Sequence, residues 1–147
     1  MTEAFAASAY GDNGEAGIVD RLREDGALTV SLVADDGGVI GHVAISPVRI
    51  DGRASRWFGL GPVAVLPARQ RQGIATALVM AALRQLADLG ADGCVVLGDS
   101  AFYGRFGFAA DPSMRYPDVP AGAFQRLMLA GETPVGTVAY HPAFSAA

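Results

Sequence analysis

Two short segments hold the residues of this 147-residue chain whose types and spacing suit chemistry. In the first, Arg69-Gln70-Arg71-Gln72-Gly73-Ile74-Ala75-Thr76, two guanidinium groups stand beside a glycine and a small alanine where a long apolar repeat begins. A helix starting there presents unpaired first-turn N–H groups and the positive end of its dipole, a ready site for phosphate oxygens. Gly73 lets the backbone come close to a ligand, and Ala75 keeps a side chain out of its way. Taken alone, one glycine at a helix start reads as an ordinary loop with solvated arginines. In the second segment, Gly98-Asp99-Ser100-Ala101-Phe102-Tyr103-Gly104-Arg105-Phe106-Gly107-Phe108, a phenol follows a short apolar run. After a parallel strand, Tyr103 would face the crevice outside the carboxyl ends of the strands and could donate a proton there. Taken alone, a tyrosine between phenylalanines reads as core packing.

Composition narrows what these segments do. All 11 basic residues are arginine and there is no lysine. Schiff-base chemistry, a lysine general base and the lysine of a phosphate-loop NTPase are therefore excluded. Anions must be held by arginine and backbone N–H groups. A single Cys94 excludes an internal disulfide, and with only His42 and His141 a zinc site would lean on carboxylates, so no metal site is expected. The cysteine usage fits a reducing, cytoplasmic setting. A net charge of -4 without a basic stripe argues against a nucleic-acid partner. No signal-peptide pattern opens the chain and no apolar run approaches the roughly 18 residues of a membrane span, so no membrane partner is expected.

The elements that must position the two segments follow from periodicity. Ile18, Val19 and Leu22 repeat at helical spacing over residues 14–25, with Gly26 at the left-handed cap position. Leu28, Val30, Leu32 and Ala34 alternate along a strand that turns at Asp36-Gly37-Gly38 into a second strand over residues 39–50. Pro47 demands a bulge or an edge within that second strand, and Asp51-Gly52 is again a turn. A third strand over residues 57–66 contains Gly59, Gly61 and Pro62, which predicts a bulge. Over residues 74–89, Ile74, Leu78, Val79, Ala82, Leu83, Leu86 and Leu89 form one apolar helix face that Gly90 terminates. Residues 94–97 read as a buried strand, residues 102–106 as a short helix, and residues 124–130 and 136–140 as two more strands. The expected fold is α/β of the α+β kind, a single domain over residues 1–147. The helix over residues 74–89 is expected to cross right-handedly between two parallel neighbours in a mixed, mostly antiparallel sheet.

The succession of bulged apolar strand, Gln-x-x-Gly-x-Ala, long helix, apolar strand and Tyr-x-x-x-Gly-Phe resembles the GCN5-related N-acetyltransferase (GNAT) family over roughly residues 28–108. It is most similar to a bacterial subgroup of predicted acyltransferases with a Leu-Gly-Pro-x-Ala-Val strand and a Gly-Asp-x-x-Phe/Tyr-Tyr-Gly-Arg-Phe-Gly-Phe segment. The resemblance implies a sheet with a splayed parallel pair and flanking helices, and acetyl-CoA as cosubstrate. It implies that Gln70, Arg71, Gln72, Gly73, Ile74, Ala75 and Thr76 hold the pyrophosphate. Val63, Ala64 and Val65 would pair with the pantetheine arm, a backbone N–H near Val63 would polarise the thioester, and Tyr103 would be the general acid. The implied reaction is direct attack of a primary amine, on a small molecule or peptide, in a ternary complex. A non-catalytic acyl-CoA-binding or partner-binding module on the same fold is the alternative, and a thiol-release assay separates the two.

Two departures from the family pattern stand out. Asp99 lies where many members carry an asparagine. Residues 1–9 read as the tail of the family's first helix, with the first strand missing: either the start is misplaced, or the protein tolerates an uncovered edge, or another chain, as in a homodimer, fills it. The base that deprotonates the amine is open between His42, His141, Asp99 and Glu15. Trp57 and Cys94 read as packing, and Asp51, Arg53 and Arg56 as a solvated hairpin tip or, if functional, as acceptor-facing.

Overall fold

The structure, a computed structural model, describes residues 15–120 and 122–145. The expectation of a tail of a first helix at residues 1–9 lies outside these residues. Helix α1 spans Glu15–Glu24, followed by strands β1 (Val30–Asp35), β2 (Val39–Ile50) and β3 (Arg53–Val65). Helix α2 (Ile74–Asp88) leads to β4 (Gly93–Leu97) and the one-turn helix α3 (Ser100–Tyr103), which runs into a 3-10 turn at Gly104–Phe106. Strands β5 (Met114–Arg115), β6 (Phe124–Met128) and β7 (Gly136–Ala139) and helix α4 (Pro142–Ser145) complete the chain.

The strands form one mixed sheet in the order β5-β7-β2-β3-β4-β6, with β1 paired to the same side of β2 as β7. It is mostly antiparallel, and the parallel pair β3–β4 is joined through α2, as the sequence predicts. A second, very short parallel pair, β5–β7, was not legible in the sequence. Among the described residues nothing pairs with the outer edge of β1. Pro47 meets its requirement as an edge position: β1 covers β2 up to Ile45 and β7 resumes at Arg49, so the proline falls where that edge has no neighbour.

Apolar residues fill both faces of the sheet. Val43, Ile45 and Leu60 pack against Leu78, Val79 and Leu86 of α2. On the other face Val48, Ile50, Trp57, Val95, Phe124 and Val138 form a second cluster, and Ile18 and Leu22 of α1 meet Ala143 of α4 in a third. Two expectations need correction. Leu89 is 58% exposed, because the helix ends at Asp88 and the chain turns away at Gly90. The third strand begins at Arg53 rather than residue 57, since the hairpin tip Asp51-Gly52 lets pairing start at once with Ile50.

His42, on β2, is fully buried with Nε2 3.0 Å from Ser31 Oγ. Burial, aided by the Arg23 guanidinium, lowers its pKa from 6.5 to about 4. The native imidazole thus stays neutral while the unfolded chain takes up a proton as the pH falls through 6.5. Stability is full above that value and declines by up to about 3 kcal/mol as the pH drops toward 4. Urea midpoints are expected to fall between pH 6.5 and 5, and to fall less in His42→Gln; parallel pH curves for the two proteins would contradict this role.

Candidate active site

The site starts from a fork in the sheet. Strands β3 and β4 are in parallel register only from Trp57↔Gly93 to Gly59↔Val95. Beyond that, β4 continues beside β6 to Leu97, while β3 continues beside β2 to Val65. The fork-side edge of β3 over residues 60–65 therefore has no strand partner. Its cause is the predicted bulge: Val43 pairs with Val63 but Ile45 with Leu60, so Gly61 and Pro62 together oppose Ala44. Gly61 takes φ +146°, which only glycine adopts readily, and the next peptide bond, Gly61–Pro62, is cis.

Beside the fork lies the start of α2. Its N-cap is Gly73 at φ 80°, with no side-chain cap and no acidic residue in the first turn. A 15-residue helix thus begins with its orphan N–H groups unclaimed by any side chain. Space around Gly73 is open, so its left-handed backbone rather than crowding requires glycine there. Arg71 is also left-handed, at φ 64°, which costs roughly 1 to 2 kcal/mol for a residue with a side chain. The fork edge and the helix start share one cleft of about 510 Å³. Of the sequence-predicted residues, Val63, Ala64, Val65, Gln70, Arg71, Gly73, Ile74, Ala75 and Thr76 all line it. Gln72 does not: its Oε1 accepts from Arg69 Nε at 3.2 Å. Gln70 donates to the Val65 carbonyl at 3.2 Å, tying the loop back to the strand.

Charge in the cleft is of one sign. Arg69, Arg71 and Arg105 line it and no carboxylate does. Arg69 is partly spent, pairing with Asp36 at 2.8 Å. Arg105 and Phe102 were not singled out from sequence. Arg105 stacks 4.8 Å from the Phe102 ring centre and donates to Thr76 Oγ1 at 3.3 Å, so it reaches across to the first turn of α2. Its only signal was its place in Tyr-Gly-Arg-Phe.

Tyr103 is not among the residues that line this cleft. It ends α3 just after β4, half-buried, with its ring on Gly98: a Cβ there would lie 2.6 Å from Tyr103 Cε2. Phe102 and Phe108 meet the ring edge to face at 4.9 and 5.8 Å. The packing reading of the tyrosine therefore holds: it packs on the core from just after the carboxyl end of a parallel strand. Burial, and then the nearby Cys94 thiol, raise its pKa above 10.0, so the phenol stays protonated at neutral pH.

The other candidates have structural tasks. Asp99 caps α3, accepting from the Ala101 N–H at 2.9 Å. His141 Nε2 lies 3.1 Å from Asp25, and its Nδ1 accepts from the Ala143 N–H at 2.9 Å. The side chain of Glu15 lies outside the described residues. Cys94 is fully buried, with its thiol pushed up by desolvation, and is inert. Trp57 is core. Arg56 is exposed, as the solvated reading expects, but it also donates to the Gly90 carbonyl at 2.9 Å through Nε and again through Nη2, holding the end of α2 against β3. Asp51 accepts from the Thr137 N–H at 2.9 Å and so binds β7.

A mixed sheet whose parallel pair splays beside an uncapped helix start is the GNAT architecture. The sequence model of the acetyltransferase (GNAT) family matches residues 3–108, and the chain belongs to that family. It is 40% identical over 152 residues to the uncharacterized N-acetyltransferase YhbS of Escherichia coli K12, across 97% of this chain and 90% of that protein. Among solved structures, a GNAT acetyltransferase from Brucella melitensis in complex with acetyl-CoA superposes with a TM-score of 0.80 and 50% identity, over 96% of this chain and 84% of that one. Escherichia coli YhbS in complex with CoA superposes with a TM-score of 0.79 and 42% identity, over 89% and 77% of the two chains. Among the described residues no helix is long and apolar enough to cross a membrane.

Proposed function

We propose that the protein transfers the acetyl group of acetyl-CoA to a primary amine by direct attack in a ternary complex. The observation that carries this reading is the single cleft in which the unpaired edge of β3 meets an uncapped helix start ringed by arginines. Bound there, acetyl-CoA would place its pyrophosphate on the N–H groups at the start of α2, with Arg71 and Arg105 beside it. The pantetheine arm would enter the fork along Val63, Ala64 and Val65 as an extra strand. A backbone N–H near Val63 would then stabilise the developing oxyanion. The relatives crystallised with acetyl-CoA and CoA support this reading.

The neutral amine attacks the carbonyl carbon, a C–N bond forms and the C–S bond breaks. Tyr103 gives its proton to the departing sulfur, and the nitrogen's surplus proton restores the phenol, so the sum is amine plus thioester to amide plus thiol. A phenol above 10 is a weaker acid than a thiol near 8.5. Protonation by Tyr103 alone is therefore uphill and must be coupled to proton loss from nitrogen. Holding amine and thioester in near-attack geometry supplies the larger share, about 7 to 11 kcal/mol.

Calorimetric titration with acetyl-CoA and thiol release against a panel of amines test the proposal. Binding with amine-dependent release is expected; binding without release by any amine would favour the non-catalytic module. Gly98→Ala bears on the placement of Tyr103, because the new methyl would displace its ring. It is expected to lower kcat on the order of 100-fold with acetyl-CoA affinity unchanged, and an unaltered kcat would show that the ring position does not matter.

A further inference from the structure

The turn that carries Tyr103 depends on its neighbours for its position. Helix α3 is four residues long, and isolated helices shorter than about 12 residues are not stable in water. Asp99 holds its start, accepting from the Ala101 N–H at 2.9 Å, and Phe102, Tyr103 and Phe106 rest on the core. Its far end is less firmly held: a Cβ at Gly104 would meet nothing within 4 Å. From that end Arg105 reaches out. Its Nη2 donates to Thr76 Oγ1 at 3.3 Å, its Nε to the Phe102 carbonyl at 3.4 Å, and its guanidinium lies 4.8 Å from the Phe102 ring centre. The Phe102 ring in turn meets Tyr103 edge to face at 4.9 Å. Guanidinium, Phe102 ring and phenol ring thus stand in series from the first turn of α2 to the candidate acid.

The contacts of Arg105 are loose. Both hydrogen bonds are longer than the usual range of about 2.7 to 3.2 Å and end on neutral oxygens. Among the described residues no carboxylate pairs with Arg105, whereas Arg69 is committed to Asp36. Arg105 therefore lines the cofactor cleft as an exposed cation with capacity for an anion. An oxygen that carries charge adds Coulombic attraction to the hydrogen bond, and Arg–phosphate pairs are commonly bidentate. A pyrophosphate on the start of α2 is thus a stronger partner for this guanidinium than the Thr76 hydroxyl beside it.

We propose that Arg105 is a positioning residue that links the cofactor's phosphates to the acid: drawn onto the pyrophosphate of acetyl-CoA, its guanidinium clamps Phe102 and fixes the Tyr103 phenol at the thioester sulfur. The inference rests on the acetyltransferase reading and on Tyr103 as the acid. The pyrophosphate takes no part in the reaction, yet its binding energy then orders the reacting end, which raises kcat as well as affinity. A phosphate-free acyl donor leaves Arg105 on Thr76 and the phenol loosely placed.

The test uses the whole protein, a reactive amine from the panel above, and the cofactor in two pieces: S-acetylpantetheine as acyl donor, with ADP in trans to supply the pyrophosphate. In the wild type, saturating ADP is expected to raise kcat for S-acetylpantetheine by about tenfold or more. Arg105→Gln removes the charge from an exposed side chain. In that variant ADP, brought to saturation by calorimetry, is expected to give no activation, and kcat at saturating acetyl-CoA to fall by about 10- to 100-fold. A residue that only holds phosphate raises the KM for acetyl-CoA and leaves kcat alone. Added to Tyr103→Phe, Arg105→Gln is expected to lower kcat no further, because the group it positions is gone. The positioning role is overturned by an unchanged saturated kcat in Arg105→Gln, by ADP activation that survives in it or is missing from the wild type, by losses that multiply in the double variant, or by full turnover in Tyr103→Phe. Failure of the wild type to bind acetyl-CoA, or to turn it over with any amine, overturns instead the function proposed above, and the inference with it.

Discussion

Replacing Tyr103 with phenylalanine is expected to lower kcat by about 10²- to 10⁴-fold without weakening acetyl-CoA binding. The substitution keeps the ring, and with it the contacts to Gly98, Phe102 and Phe108, so the fold around β4 is retained. Only the hydroxyl is lost. On the proposed mechanism the departing thiolate would then be protonated by solvent, and the nitrogen proton would lose the phenol as its acceptor. The acetyl-CoA Kd is expected to be unchanged because Tyr103 lies outside the cleft formed by the fork edge and the start of α2. Steady-state kinetics beside calorimetric titration separate the two quantities, and equal turnover in both proteins would remove Tyr103 from the mechanism. In the wild type, the raised pKa keeps this acid loaded past pH 10.0, so no alkaline loss of kcat at lower pH is assigned to it.

Ala75→Glu is expected to weaken acetyl-CoA binding by about 100-fold or more, since juxtaposed like charges cost several kcal/mol. Residue 75 lies in the first turn of α2 and lines the cleft. Helix physics predicts the opposite sign for folding: that turn carries no acidic residue, and an acid near a helix N-terminus stabilises by about 0.3 to 1 kcal/mol. Loss of binding should therefore come with an equal or higher Tm, which separates it from damage to the fold. S-acetylpantetheine, which has the same thioester arm without the phosphates, is expected to react equally well with both proteins. A loss of the same size for both acyl donors would place the effect outside phosphate recognition.

Much of the scaffold was legible because it is locally encoded. Strand β2 spans Val39–Ile50 as its alternation and flanking turns predict, and α2 starts at Ile74. The bulge falls at Gly61 and Pro62, where missing donors and a glycine-only φ act on adjacent residues. With those three elements placed, nine of the ten cofactor-site candidates come to one cleft, Gln72 being the exception. The misses involve contacts distant in sequence. Arg56 holds Gly90, 34 residues on, and Arg105 reaches back 29 residues to Thr76. Strand β5 has only two residues and exists because β7 lies beside it.

By itself the sequence determined most of the helices, strands and turns, and the glycine at which the long helix starts, because dihedral preference and burial period act within a few residues. Only the tertiary structure decided which side chains meet across those elements. Arg69 was drawn to Asp36, Asp99 to a helix cap and Tyr140 onto Gly59. A side chain's partner depends on how whole elements pack, and no local preference in the chain encodes that.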